Sequence, residues 1–273
     1  MKDKISLAGD LGSGKSTVAK ILIDALGAEY YSTGSIVRSI AARMGMTVGE
    51  LNKYMETHTE IDREIDDGLK ALSRDERALI IDSRMAWHFT EGTFKVYLST
   101  DLEISALRIM SANRQGEHAA SLEETVAQTR DRRKSEEKRY LEQYGVNIND
   151  LSNYALIVDT TYATPEEVAG VILNAFETWQ RDKSYTACYV CPERLNYPDD
   201  EVDGALIGEL SDALDRGESL PEITVFEEEG SFYAEDNTPS ALAYAMNMYS
   251  LLPARLVKGS SRGKEYVKMK NNL

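Results

Sequence analysis

Between the apolar run "ISLAG" (residues 5–9) and the helical stretch "KSTVAKILIDALG" stands "GDLGSGKST". Gly9, Gly14, Lys15 and Ser16 fit G-x-x-x-x-G-K-[ST], a spacing with a physical demand behind it. Gly9, Gly12 and Gly14 let the backbone around Ser13 curl its N–H groups onto phosphate oxygens. Lys15 brings a cation to the β and γ phosphates, and the Ser16 hydroxyl can reach Mg²⁺. The helix opening at Lys15, Ser16 and Thr17 adds its positive end. The motif also stands where its geometry requires, after a strand pattern and before a helix pattern. ATP and Mg²⁺ are the expected ligands, held by Gly9, Gly12, Ser13, Gly14, Lys15, Ser16 and Thr17.

Further strand patterns follow at residues 28–32, 78–82, 94–99 and 155–160. Each is a short apolar run without alternation, and helical stretches lie between them, including one long amphipathic stretch over 47–72. "TPEEVAGVILNAFETWQRD" reads as a helix with Thr164 as its cap and Pro165 at its first position. Buried strands alternating with helices predict a three-layer α/β/α unit around a five-stranded parallel sheet, over residues 1–182. Ligands on such sheets sit beyond the carboxyl ends of the strands. The polar residues that close the strands therefore matter: Gly9, Ser32, Asp82 and Ser99. Asp82 is a candidate partner of Ser16 in holding Mg²⁺.

Cations define the other half of the expected site. Arg38 lies one turn into the helix after the second strand, and Arg84 lies two residues after Asp82. Two guanidinium forks at the sheet edge suit a second phosphate group. Arg108, Arg114, Arg130, Arg132, Arg133 and Arg139 fall in one charged helical region before the fifth strand. Phosphoryl transfer needs cations that close over the substrates and exclude water, so this region is the expected lid.

The remaining sequence has a different balance. Residues 193–236 hold fifteen Asp or Glu against only Arg194 and Arg216, a net charge of −13 out of −15 for the whole chain. So acidic a chain is a poor general partner for nucleic acid. The order of patterns there predicts a small separate α+β domain at 188–258, followed by a polar, basic tail at 259–273 that is loosely docked or disordered. No apolar run is long enough to span a membrane, and no signal-peptide pattern opens the chain, so a cytoplasmic location is expected. Cys188 and Cys191 form one C-x-x-C, short of the four ligands of a structural zinc site, and His58, His88 and His118 lie far away without ligand spacing.

The first 180 residues resemble the cytidylate kinases, most closely their short archaeal-type branch. The stretches that carry the resemblance are "ISLAGDLGSGKSTVAKIL", "YYSTGSIVRSIAARMGM", "EIDREID", "ALIIDSRMAW", "RRKSEEKRYLEQYG" and "YALIVDTTYATPEEVAGVI". The resemblance implies transfer of the ATP γ-phosphoryl group to CMP or dCMP with Mg²⁺. It implies Thr33, Gly34, Arg38 and Arg84 around the monophosphate, and Arg132 and Arg139 as lid arginines that act with Lys15 in catalysis. The chain departs from the family's pattern at Arg132-Arg133, where Arg-Glu is usual. A kinase of another small metabolite and a nucleotide-responsive binding protein are the alternatives that the residues themselves leave open.

The C-terminal segment resembles the ParB/sulfiredoxin-like fold over "IGELSDALDRGESLPEITVFEEEGSFYAEDNTPSALAYAM". Active members of that family carry a basic box after the second hairpin strand, where this chain reads "EDNTPSALAY". The resemblance therefore implies a degenerate module used for packing, for a homodimer contact or for regulation.

Overall fold

The computed structural model describes residues 4–112, 121–198 and 202–268. The first half runs β1 (Lys4–Gly9), α1 (Lys15–Leu26), β2 (Glu29–Ser32), α2 (Thr33–Met44), α3 (Val48–Met55), α4 (Glu60–Ala71), β3 (Leu79–Asp82), α5 (Ala86–Phe89) and β4 (Phe94–Ser99). It continues with α6 (Leu102–Ser111), α7 (Leu122–Tyr144), β5 (Leu156–Asp159) and α8 (Pro165–Arg181). The strands lie in the order β2-β3-β1-β4-β5, all parallel. β1 is buried along its whole length, with Ile5 level with Ile80 on one side and Phe94 on the other. Parallel pairing brings every carboxyl end to one edge, where Ser32 is level with Asp82, and Ser99 with Asp159.

Helices α1 and α8 cover one face, where Leu22, Ile172 and Phe176 pack with Phe94 and Leu98. On the other face α2, α3, α4 and α7 share a core that includes Leu51, Met55, Leu69, Ile81 and Tyr140. Thr164 caps α8 as predicted, and Glu167 answers it to complete a capping box. The single helix predicted over 47–72 is instead two. Thr57 and His58 turn their side chains back onto the Tyr54 carbonyl, and the His58 ring stacks on Tyr54. Such local bonds offer the backbone an alternative to continuing the helix.

After α8 come β6 (Ala187–Val190), β7 (Asn196–Pro198), α9 (Gly204–Asp215), β8 (Ile223–Glu228), β9 (Ser231–Ala234), α10 (Thr238–Met246), β10 (Leu252–Leu256) and β11 (Tyr266–Lys268). They do not make a sheet of their own. β6 pairs parallel with β5, and the remaining strands extend the same sheet to eleven, in the order β11-β7-β9-β8-β10-β6-β5. β10 turns the pairing antiparallel against β6. The expected boundary near Asp182 is thus a change in sheet character within one hydrogen-bonded sheet. Part of the tail expected to be loose is also paired: Val267 is level with Tyr197, and β11 forms the outer strand. Cys188 and Cys191 are buried and unbonded, and burial pushes the Cys191 thiol up to about 12.

Candidate active site

The phosphate loop is shaped by close approach. Gly9 and Gly12 have φ of 132° and 71°, in the region that favours glycine. A Cβ on Gly9 would stand 2.1 Å from the Leu98 carbonyl oxygen, and one on Gly12 would stand 2.6 Å from that of Ser105. The loop is therefore pressed onto β4 and α6. Gly14 begins α1 without a side-chain cap; the Thr17 N–H is taken by the Gly14 carbonyl, and the N–H groups of Lys15 and Ser16 at the first turn are the ones suited to a ligand.

Lys15 folds back over this loop. Its Nζ donates to the Gly9 carbonyl at 3.0 Å, the Asp10 carbonyl at 2.6 Å and Ser13 Oγ at 3.2 Å. Burial, and then the nearby Arg84 guanidinium, lower its pKa to about 7 against the pull of Asp82, Asp10 and Glu136. An ammonium held so far below its ordinary value gains most from an arriving polyphosphate.

One cavity of about 820 Å³ opens beside the loop. Gly12, Ser13, Gly14, Lys15 and Ser16 line one wall; Thr33, Gly34 and Arg38 line the next. Asp82, Arg84, Arg132 and Arg139 complete the ring. Of the residues predicted from sequence, Gly9 lies beneath the loop and Thr17 is exposed on α1. The others meet in this single space. Ser16 and Asp82 present a hydroxyl and a carboxylate, the hard oxygen donors Mg²⁺ takes while keeping much of its water, so these residues fit that ion. Tyr30 steadies Asp82 by donating to its Oδ2 at 2.9 Å.

The cationic wall is organised by a residue that sequence reasoning passed over. Glu136 is nearly buried, and it accepts from Arg84 Nε at 2.8 Å and Arg132 Nε at 3.0 Å. Burial works against its charge, but Arg84, Arg132 and Arg139 outweigh it and hold the carboxyl down to about 2. Arg139 was expected in a lid; it is instead 3% exposed, paired with Asp62 at 3.0 Å and donating to the Asn52 carbonyl at 3.2 Å. In this structure it stands in the cavity wall, where α7 packs on α3. The deep end of the cavity adds Asn52, Asp62 and Asp66 among Ile65, Leu69 and Met55. Burial raises the Asp66 carboxyl to about 6, and Tyr144 donates to it.

The other arginines of the charged region divide. Arg108 sits under the loop, donating to the Thr160 carbonyl at 2.7 Å. Arg130 is exposed. Arg133 pairs with Asp10 of the phosphate loop at 3.0 Å, while Asp10 also accepts from Tyr97 and from the Thr100 backbone. Arg133, where the chain departs from the family's pattern, thus supplies the counter-charge for a loop carboxylate that is turned toward Tyr97 and Thr100. Arg114 and His118 lie outside the described residues.

A cytidylate kinase from Thermoplasma volcanium is 36% identical over 187 residues, which is 67% of this chain and 96% of that one. A second, from Haloarcula marismortui, is 39% identical over 180 residues, covering 65% of this chain and 91% of the relative. The chain belongs to the cytidylate kinase family. The AAA domain profile matches residues 9–140, which carry the phosphate loop and all the described residues of the cavity wall. An uncharacterised protein from Eubacterium ventriosum shares the fold, with a TM-score of 0.50 at 13% identity, over 65% of this chain and 99% of the other. Measured against its cytidylate kinase relatives, this chain is long: their matched length leaves about a third of it over. Among the described residues, none beyond Tyr140 lines this cavity.

Proposed function

We propose that the protein transfers the γ-phosphoryl group of ATP to a nucleoside monophosphate, CMP or dCMP. The observation that carries this reading is a single cavity with a phosphate loop on one wall and four arginines facing it. Arg38 and Arg84 hold the acceptor phosphate, with Thr33 and Gly34 at the start of α2. Lys15 and the loop amides hold the β and γ phosphates of the donor. Arg132 and Arg139 neutralise charge on the transferring group. The acceptor phosphate oxygen attacks in line, and no covalent enzyme intermediate is needed, since positioning and charge supply the catalysis. Ser16 and Asp82 would hold Mg²⁺, which when bound offsets the charge between the β and γ phosphates.

A coupled assay of ADP release tests the reading with CMP, dCMP, UMP, AMP, shikimate and serine as acceptors. CMP and dCMP should stimulate turnover most. No stimulation by any nucleoside monophosphate would end it, and tight ATP binding with negligible turnover would point to a binding protein instead. For the C-terminal segment we favour an architectural part; a homodimer through it would show in sedimentation velocity. A cytoplasmic setting goes with an ATP-dependent kinase, and fractionation checks it. Among the described residues no helix is long and apolar enough to cross a membrane.

A further inference from the structure

The C-terminal segment stays out of the cavity wall, yet it reaches the phosphate loop from behind. Arg194 closes a short turn (Pro192–Arg194) just beyond the carboxyl end of β6. Because β6 runs parallel to β5, this turn lands beside the last residue of β5, Asp159. Arg194 Nη1 donates to Asp159 Oδ2 at 2.8 Å and to Thr161 Oγ1 at 3.1 Å. Its Nη2 donates to the Gly230 carbonyl at 3.1 Å, in the turn between β8 and β9. Asp159 is fully buried.

From Asp159 the contacts continue to the loop. Asp159 Oδ1 accepts from the Thr161 N–H at 3.0 Å and from the Thr161 hydroxyl at 2.6 Å. The Thr160 hydroxyl lies 3.0 Å from the carbonyls of both Ser13 and Ser99 and shares its proton between them. Arg108 Nη2 donates to the carbonyls of Thr160 and Thr161 at 2.7 and 3.0 Å, and its Nη1 reaches the Gly12 carbonyl at 3.5 Å. Thr160 thus holds the Ser13 carbonyl of the loop, and Arg108, which is bonded to residues 160–161, reaches that of Gly12.

We propose that Arg194, supplied by the C-terminal segment, is a positioning residue for the donor-phosphate loop: it neutralises buried Asp159, fixes residues 160–161, and through Thr160 fixes Ser13. This rests on the reading of the loop as the ATP site. The effect falls on the donor side alone. The arginines of the facing wall, Arg84, Arg132 and Arg139, are held by Glu136, Asp62 and Asn52, and these pairs involve none of Arg194, Asp159, Thr160 and Thr161. Without the guanidinium, the Asp159 carboxylate is buried with no counter-charge, and relaxation or entry of water at that site loosens its grip on Thr161.

Arg194→Gln should raise KM for ATP roughly two- to thirtyfold while KM for CMP stays within about twofold. Arg194→Lys, which keeps the charge but loses the fork, should show a smaller rise of the same kind. If Arg194→Gln does not fold, Arg194→Met combined with Asp159→Leu decides. An apolar pair of similar volume leaves no unpaired charge, and it still removes the acceptor for Thr161. A donor KM unchanged in the folded double variant overturns the proposal, as does an equal rise in both KM values. Arg255→Gln is the control, because its exposed pair with Glu222 lies outside the chain of contacts. Wild-type protein inert toward every nucleoside monophosphate would strike at the kinase reading instead. Equilibrium titration with ATP alone, in wild type and variants, would still decide the positioning role.

Discussion

The two ends of the sheet do different work. From β2 to β5 all strands run one way, so their carboxyl ends meet at one edge, and among the described residues every one that lines the cavity comes from this part. From β6 outward the directions mix, and the same long sheet carries a strongly acidic surface with no part in the cavity wall. Parallel strands concentrate loops and helix N-termini at a single edge, which is what a site for two phosphates needs. Antiparallel neighbours send alternate ends to opposite edges. Such a region can brace a site without building one.

Removing the brace should have the largest effect. A chain cut after Asp182 loses β6, bares the edge of β5 and leaves Asp159 buried without Arg194. It should aggregate, as light scattering on heating would show. A soluble, fully active fragment would break the contrast between the two regions. Next comes Lys15→Ala, expected to lower turnover by about 10²–10³-fold or more in the coupled assay. Its melting temperature should not fall, because burial already opposes the Lys15 charge.

Glu136→Gln tests how far the parallel region depends on its own charge network. It leaves Arg84, Arg132 and Arg139 facing one another, and denaturant unfolding should show a loss of about 3–5 kcal/mol. The pH dependence follows in sign. Glu136 has a folded pKa of about 2, below its ordinary 4.5, so its stabilisation is complete above pH 4.5 and lost as pH falls toward 2. The variant should lack that part of the acid transition. A smaller effect comes from Lys15 itself: with a pKa of about 7 it is mostly neutral near pH 8, and ATP should restore its proton. Calorimetry in buffers of different ionisation enthalpy should then find uptake approaching about one proton, absent in Lys15→Ala. Smallest of all, Arg255→Gln in the antiparallel region should change stability by no more than about 1 kcal/mol, since its ion pair with Glu222 is exposed.

Much of the parallel region was legible in the chain. Its strands are unbroken apolar runs, its motif has a fixed spacing, and Arg38, Asp82 and Arg84 sit at set distances from strand ends. The charged helix was harder. In α7, acids and arginines alternate with little apolar periodicity, so Glu136 reads the same as exposed Glu142, although one is buried among three arginines. Strands β6, β7 and β11 are only three or four residues long and carry no turn or alternation signal of their own. Their pairing partners lie far away in sequence, and burial there depends on those partners.

By itself, the sequence determined the phosphate loop, the parallel order of strands and helices, and the residues that arrive at the strand ends. Each of these depends on local spacing, period or backbone freedom. Only the tertiary structure decided that Arg139 is buried against Asp62, that Asp10 is paired with Arg133, and that Arg194 meets Asp159 at the end of β5. Those are contacts between charges 35 to 123 positions apart. A charge in a sequence carries no sign of whether water or another charge will face it, and the packed sheet settles that.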